Sequence, residues 1–96
     1  MEKEEFEKVL ENRSGVLLLD IREADELSDK DFIQGAVHMP MGKVFTEATK
    51  NNLPRDKQII VFCRTGGRAG IVVQVLKERG YNIDGLEGGL NGLRTE

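Results

Sequence analysis

The residues best suited to chemistry stand together at Cys63-Arg64-Thr65-Gly66-Gly67-Arg68, directly after the apolar run Ile59-Ile60-Val61-Phe62. A thiol acts as a nucleophile through its thiolate, and positive charge nearby favours that form. Arg64 and Arg68 supply such charge. The two adjacent glycines let the backbone turn with positive φ, so that successive N–H groups face one concavity, and a nest of this kind binds anions. A helix starting just after the loop adds its free N–H groups and the positive end of its dipole. Cys63 is therefore expected largely as thiolate, cradled by an anion-binding loop. Taken alone, a free cysteine reads as a small buried hydrophobe, but such a residue needs neither a Gly-Gly turn nor two arginines beside it. The glycines alone would carry little, since turns use glycine constantly. The combination discriminates.

The remaining candidates have plainer readings. His38 falls on a short predicted strand with no neighbouring Ser, Asp or second ligand, so it reads as structural rather than as a general base. One cysteine cannot form an internal disulfide, and one Cys with one His and no ligand-spaced carboxylate pair leaves no metal site to expect. Arg22 and Glu26, four residues apart, are candidates to pair.

The elements that must position these residues follow from hydrophobic spacing. Phe6, Val9 and Leu10 fall at i, i+3 and i+4 among charges, which predicts a short amphipathic helix stopped by Ser14-Gly15. Val16 to Leu19 form a continuous apolar run ending at Asp20, as in a strand covered on both faces. A polar stretch from Arg22 to Lys30 follows. Ala36 to Met39 predicts a second short strand closed by Pro40, and a weak helix is expected over Lys43 to Lys50. Ile59 to Phe62 gives another buried strand. Ala69, Val72, Val73 and Leu76 mark one face of a helix running from Gly67 to Arg79, with Gly80 at its C′ position. Ile83 to Leu86 predicts a last strand, and Gly88-Gly89 leads into a final helical turn or two near Leu93. Strands alternating with helices imply an α/β fold with a small parallel sheet flanked by helices on both faces. In such sheets ligands sit beyond the carboxyl ends of the strands, which is where Cys63 falls.

Composition narrows the classes further. A chain of 96 residues fits one domain spanning 1–96. Hydrophobic residues at 39% and charged residues at 32% suit a soluble globular protein. No apolar run approaches a membrane span or a signal-peptide core, so cytoplasmic residence is the expectation. The net charge of −3 is unevenly spread: residues 1–34 hold eleven acids against five bases, the remainder six against nine. The early acids read most simply as a solvated face, while the basic part contains Cys63 and would attract a small anion. No Lys/Arg cluster interleaved with aromatics appears, which argues against nucleic-acid binding.

At the level of motifs the sequence resembles the rhodanese family, whose active loop has the form Cys-Arg-x-Gly-x-Arg after an apolar strand. Here Val61-Phe62-Cys63-Arg64-Thr65-Gly66-Gly67-Arg68-Ala69 fits that form. The family's Asp-x-Arg-x-x-x-Glu segment is matched by Asp20-Ile21-Arg22-Glu23-Ala24-Asp25-Glu26, its Gly-Ala segment by Gly35-Ala36-Val37-His38-Met39-Pro40, and its closing motif by Glu87-Gly88-Gly89-Leu90. The ordered set covers nearly the whole chain and is far more specific than any one member. Two departures concern packing: Asp31-Phe32-Ile33-Gln34 stands where the family usually reads Gly-His-Ile-Pro, and Leu93 where it usually has Trp. The short first strand common in the family is also lacking, so the sheet is expected to have four strands, or five at most.

The resemblance implies a sulfurtransferase in which Cys63 takes a sulfane sulfur from thiosulfate, polysulfide or a persulfide and passes it to cyanide or a thiol, with a protein sulfur acceptor as a further partner. It implies no organic cofactor and no metal. Cys63 would be the nucleophile, Arg64, Thr65, Gly66, Gly67 and Arg68 would hold the departing anion and the anionic persulfide, and Asp20 and Arg22 would brace the loop. The runner-up is a non-catalytic sulfur-carrier or binding module on the same fold. Related phosphatases and arsenate reductases use a loop one residue longer, to wrap a larger tetrahedral anion, and fit less well.

Overall fold

The computed structural model describes residues 1–27 and 32–93. Ser28 to Lys30 of the polar stretch, and Asp31 of the departing segment, lie outside the described residues. In chain order the elements are α1 (Lys3–Glu11), β1 (Val16–Asp20), a single 3-10 turn (Ala24–Glu26), β2 (Val37–His38), α2 (Met41–Thr49), β3 (Gln58–Phe62), α3 (Gly67–Glu78), β4 (Ile83–Gly85) and α4 (Gly89–Leu93). The strands form one four-stranded sheet in the order β2-β1-β3-β4, and every neighbouring pair is parallel. All four strands therefore deliver their carboxyl ends to the same edge, and the loop after β3 opens there.

Side chains alternate across a strand, so β1 and β3 each feed two cores. Leu19, Ile59 and Val61 pack with Val44 and Ala48 of α2 and with Ala69, Val72 and Leu76 of α3. Leu18, Ile60 and Phe62 face the other way, against Phe6 of α1 and Leu90 of α4. Helices thus cover both faces, which is why the strands are apolar runs. Phe6 and Phe62 meet edge to face with centroids 5.9 Å apart. Burying each ring contributes about 1.5–3 kcal/mol, and their mutual geometry about 0.5–1.5 kcal/mol more. Leu93, which replaces the family's Trp, packs half-buried against this second core.

Element boundaries differ from those expected of the sequence for local reasons. Helix α1 ends at Glu11, ahead of Ser14-Gly15, because Asn12 is already extended. Helix α2 begins at Met41 rather than Lys43: the Pro40 carbonyl accepts the N–H groups of Lys43 at 2.8 Å and Val44 at 3.0 Å. The second strand shrinks to Val37–His38, although Met39 N–H continues its pairing by donating to the Asp20 carbonyl at 2.8 Å. Among the described residues no helix is long and apolar enough to cross a membrane.

Candidate active site

Strand β3 hands the chain to the loop at Cys63, and Gly67 is the first residue of α3. The turn between them is made at Gly66, whose φ of +98° caps the helix from the left-handed region. An L side chain there would be strained, and its Cβ would approach the Gly88 nitrogen to 3.0 Å. Of the adjacent glycines only Gly66 takes positive φ; Gly67 is there as a helical residue. The turn brings the Gly66 N–H to 3.1 Å from Cys63 Sγ, to which it donates. Cys63 itself is buried on the α2/α3 face, in line with Ile59 and Val61. Thr65 is exposed, while the residue surfaces of Arg64 and Arg68 are half-buried.

The loop is held from behind by α4. Leu90 N–H donates to the Cys63 carbonyl at 2.9 Å and Asn91 N–H to the Arg64 carbonyl at 3.0 Å. Both carbonyls are thus paired with α4, while the Gly66 N–H faces the sulfur. This close approach requires Gly89, which has φ +61° and whose added Cβ would lie 2.5 Å from Arg64 C and O and 2.6 Å from the Cys63 oxygen. The closing Glu87-Gly88-Gly89-Leu90 motif carried that signal in sequence, but not its target.

A second connection runs to the 3-10 turn after β1. Arg68 forms a two-pronged ion pair with Glu26, Nη1 to Oε1 at 2.5 Å and Nη2 to Oε2 at 2.7 Å. Arg64 joins it, its Nη2 donating to the Glu26 carbonyl at 3.1 Å and its Nε lying 3.8 Å from Oε2. Glu26 Oε1 also accepts the Glu23 N–H at 2.9 Å, which fixes the carboxylate on its turn. The pairing of Glu26 with Arg22 expected from their spacing is therefore replaced: Glu26 reaches the loop, and Arg22 has another partner. The hydrogen bonds from Arg68, and then from the Glu23 backbone, lower the Glu26 carboxyl from 4.5 to about 2. Arg68 is correspondingly raised, first by its bond to Glu26, with the charge of Cys63 contributing further.

The sign of the Glu26 shift sets a pH dependence. Because the folded value lies below the unfolded one, the stabilisation from the Glu26–Arg68 pair is complete above pH 4.5 and is lost as pH falls through about 2. The difference in denaturation midpoint between the natural protein and Glu26→Gln should be constant from about pH 5 to about pH 9 and shrink below that range. A difference that varied near neutrality would mean that the pair is not what the substitution removes.

Arg22 is buried together with Asp20. Its Nη2 lies 2.8 Å from Asp20 Oδ2 and its Nε 3.0 Å from Oδ1, and its own backbone N–H donates to Oδ1 at 3.1 Å. Removing either partner from such a pair would leave a buried charge at a cost of about 3–5 kcal/mol. His38 Nε2 lies 2.7 Å from the Arg22 carbonyl oxygen, and since a carbonyl only accepts, Nε2 carries the proton. The histidine thus props the segment that Asp20 and Arg22 fix. The link from this segment to the loop is the Ile21 N–H, which donates to the Phe62 carbonyl at 3.1 Å, one residue before Cys63.

The structure thus gathers Cys63, Arg64, Gly66 and Arg68 around one turn, with Asp20 and Arg22 one strand away. Sequence reasoning missed Glu26 as the partner of Arg68 and Gly89 as the backing of the loop. A cleft of about 250 Å³ opens beside α3 and β4, lined in part by Gly70, Val73, Asp84 and Leu86. It touches the loop at Gly66 and leaves Cys63 outside its lining.

A family model for the rhodanese-like domain matches residues 2–96, and the chain belongs to that family. It is 34% identical over 79 residues, 82% of its length, to a tRNA sulfurtransferase of Desulfurococcus amylolyticus, and 31% identical over 78 residues, 81% of its length, to the putative sulfur carrier protein YrkF of Bacillus subtilis. It spans only 15% of the first protein and 40% of the second. A rhodanese-related protein from Thermoplasma volcanium has a similar crystal structure, with a TM-score of 0.78 and 28% identity over 97% of this chain and 87% of that one.

Proposed function

We propose that the chain is a sulfurtransferase whose Cys63 carries sulfur as a persulfide, with residues 1–96 acting as one rhodanese-like unit. The observation that carries this reading is the Gly66 N–H held 3.1 Å from Cys63 Sγ by a turn whose carbonyls are tied back to α4. Family membership and the names of the relatives support sulfur handling as the class of activity. The chain matches a small part of the tRNA sulfurtransferase, so sulfur handling, and not tRNA, is the chemistry the two share here.

With thiosulfate, the Cys63 thiolate attacks the outer sulfur, the S–S bond of the donor breaks, and sulfite leaves with the bonding pair. The Gly66 amide then faces the persulfide, and the arginines add positive charge for the departing anion. In the second step an acceptor thiolate attacks the outer sulfur and expels Cys63 thiolate, so the acceptor becomes a persulfide; cyanide would become thiocyanate. A polysulfide or a protein persulfide can replace thiosulfate in the first step without changing the electron balance. The resemblance to YrkF favours one other reading, a sulfur carrier that loads Cys63 but delivers only to a dedicated protein.

Intact-mass spectrometry after exposure to thiosulfate, polysulfide and an alkyl hydropersulfide tests the proposal. One sulfur should add at Cys63 and be removed by a reducing thiol, with aryl phosphates hydrolysed negligibly. A loop with four residues between Cys63 and Arg68 offers few N–H donors, enough for one sulfur, whereas a phosphoryl centre needs donors for three equatorial oxygens. An unmodified mass with every donor, or robust phosphatase turnover, would overturn the assignment. Loading without turnover on small thiols would favour the carrier.

A further inference from the structure

Arg64 and Arg68, the two cations beside Cys63, both engage Glu26. Glu26 engages both Nη atoms of Arg68, lies near Arg64 Nε, and comes from a turn 42 positions earlier in the chain than Arg68. We propose, building on the sulfurtransferase reading, that Glu26 determines donor specificity: its carboxylate occupies Arg68 and so disfavours dianionic sulfur donors relative to monoanionic or neutral ones.

Charge sets the direction of this bias. Arg64 and Arg68 bring positive charge to the loop, and Glu26, fixed by the Glu23 N–H as well as by Arg68, sets a negative charge directly on Arg68, with the Glu23 carboxylate acting on it from further off. Coulomb energy scales with the product of the charges, so a fixed anion repels thiosulfate, a dianion at neutral pH, twice as strongly as it repels a monoanion at the same place. A hydropersulfide carries one charge or none. Glu26 titrates far below neutrality, so the bias is constant across the working pH range rather than switched. Arg68 retains N–H groups beyond the two given to Glu26, so it can still contact a donor, but as one half of a neutral pair. The partial exposure of both side chains lets water and salt screen the effect.

The test compares single-turnover loading of Cys63 from thiosulfate and from an alkyl hydropersulfide. In each case the thiolate attacks the outer sulfur, and sulfite or the alkyl thiolate leaves with the bonding pair. Glu26→Gln should speed loading from thiosulfate about tenfold relative to loading from the hydropersulfide. Glu26→Asp, which keeps the charge, should keep the natural donor ratio. A purely structural role predicts that both variants slow both donors alike, and that outcome overturns the proposal. If Glu26→Gln is too unstable to assay, Arg68→Gln and the double variant Glu26→Gln/Arg68→Gln decide: removing the Glu26 charge in the Arg68→Gln background should raise the thiosulfate rate relative to the hydropersulfide rate, and an unchanged ratio counts against the idea. Calorimetric binding of thiosulfate to Cys63→Ser, with and without Glu26→Gln, separates this inference from the reading beneath it. Tighter binding on loss of the charge supports the role of Glu26 even if no donor loads Cys63, whereas unchanged affinity in a protein that does load refutes the role and leaves sulfur transfer standing.

Discussion

Cys63→Ser is expected to fold as the natural protein does and to transfer no sulfur. The substitution exchanges one small buried side chain for another, and a hydroxyl can accept the Gly66 N–H that now points at the sulfur. The cost in stability should stay near about 1 kcal/mol, since no cavity of consequence opens and no donor is orphaned. Chemistry fares differently, because the nucleophile must be an anion at neutral pH and a serine alkoxide is out of reach there without an adjacent base. His38 stands on β2, separated from β3 by the whole of β1, and is held at the Arg22 carbonyl rather than beside residue 63. Loss of transfer by about a thousandfold or more is therefore expected, measured by single-turnover mass spectrometry alongside a thermal melt. Transfer at the natural rate would place the reaction elsewhere in the molecule.

Gly89→Ala should be the most damaging of the conservative changes outside the loop itself. The residue holds φ +61°, and for an alanine the left-handed conformation alone costs about 1–2 kcal/mol. Steric overlap costs more: contacts of 2.5–2.6 Å fall on backbone atoms of Arg64 and Cys63, which cannot swing aside as the end of a flexible side chain could. Either α4 retreats and releases the Leu90 and Asn91 hydrogen bonds, or the loop is pushed and the Gly66 amide leaves the sulfur. Displacing a catalytic group by about 1 Å costs on the order of a hundredfold. The control is Gly88→Ala, also at positive φ but with its nearest contact an ordinary 3.5 Å, which should lose stability without a matching loss of rate. Equal effects of the two substitutions on the rate of Cys63 loading would show that α4 does not set the loop geometry.

What the sequence determined by itself was everything that rests on spacing. The apolar runs at Val16 to Leu19 and Ile59 to Phe62, and the helical recurrence of Ala69, Val72 and Leu76, were enough for a parallel sheet covered on both faces, because period and length encode burial locally. The loop from Cys63 to Arg68 was legible for the same reason: its turn, its charges and its thiol are contiguous. The two-residue strand β2 and the start of α2 at Met41 were blurred, since so short a strand has no period and Pro40 begins the helix through its backbone rather than through an apolar side chain. Tertiary structure alone decided the partners. Arg22 and Glu26 stand at helical spacing in sequence, yet the chain enters that segment from a strand, so spacing along it says nothing about which side chains meet. Arg22 turns back onto Asp20 in the interior, while Glu26 reaches Arg68 across the carboxyl edge of the sheet. Gly89 likewise shows its purpose only once α4 is laid against the loop, because the atoms its absent side chain makes room for belong to Cys63 and Arg64, brought beside it by the fold.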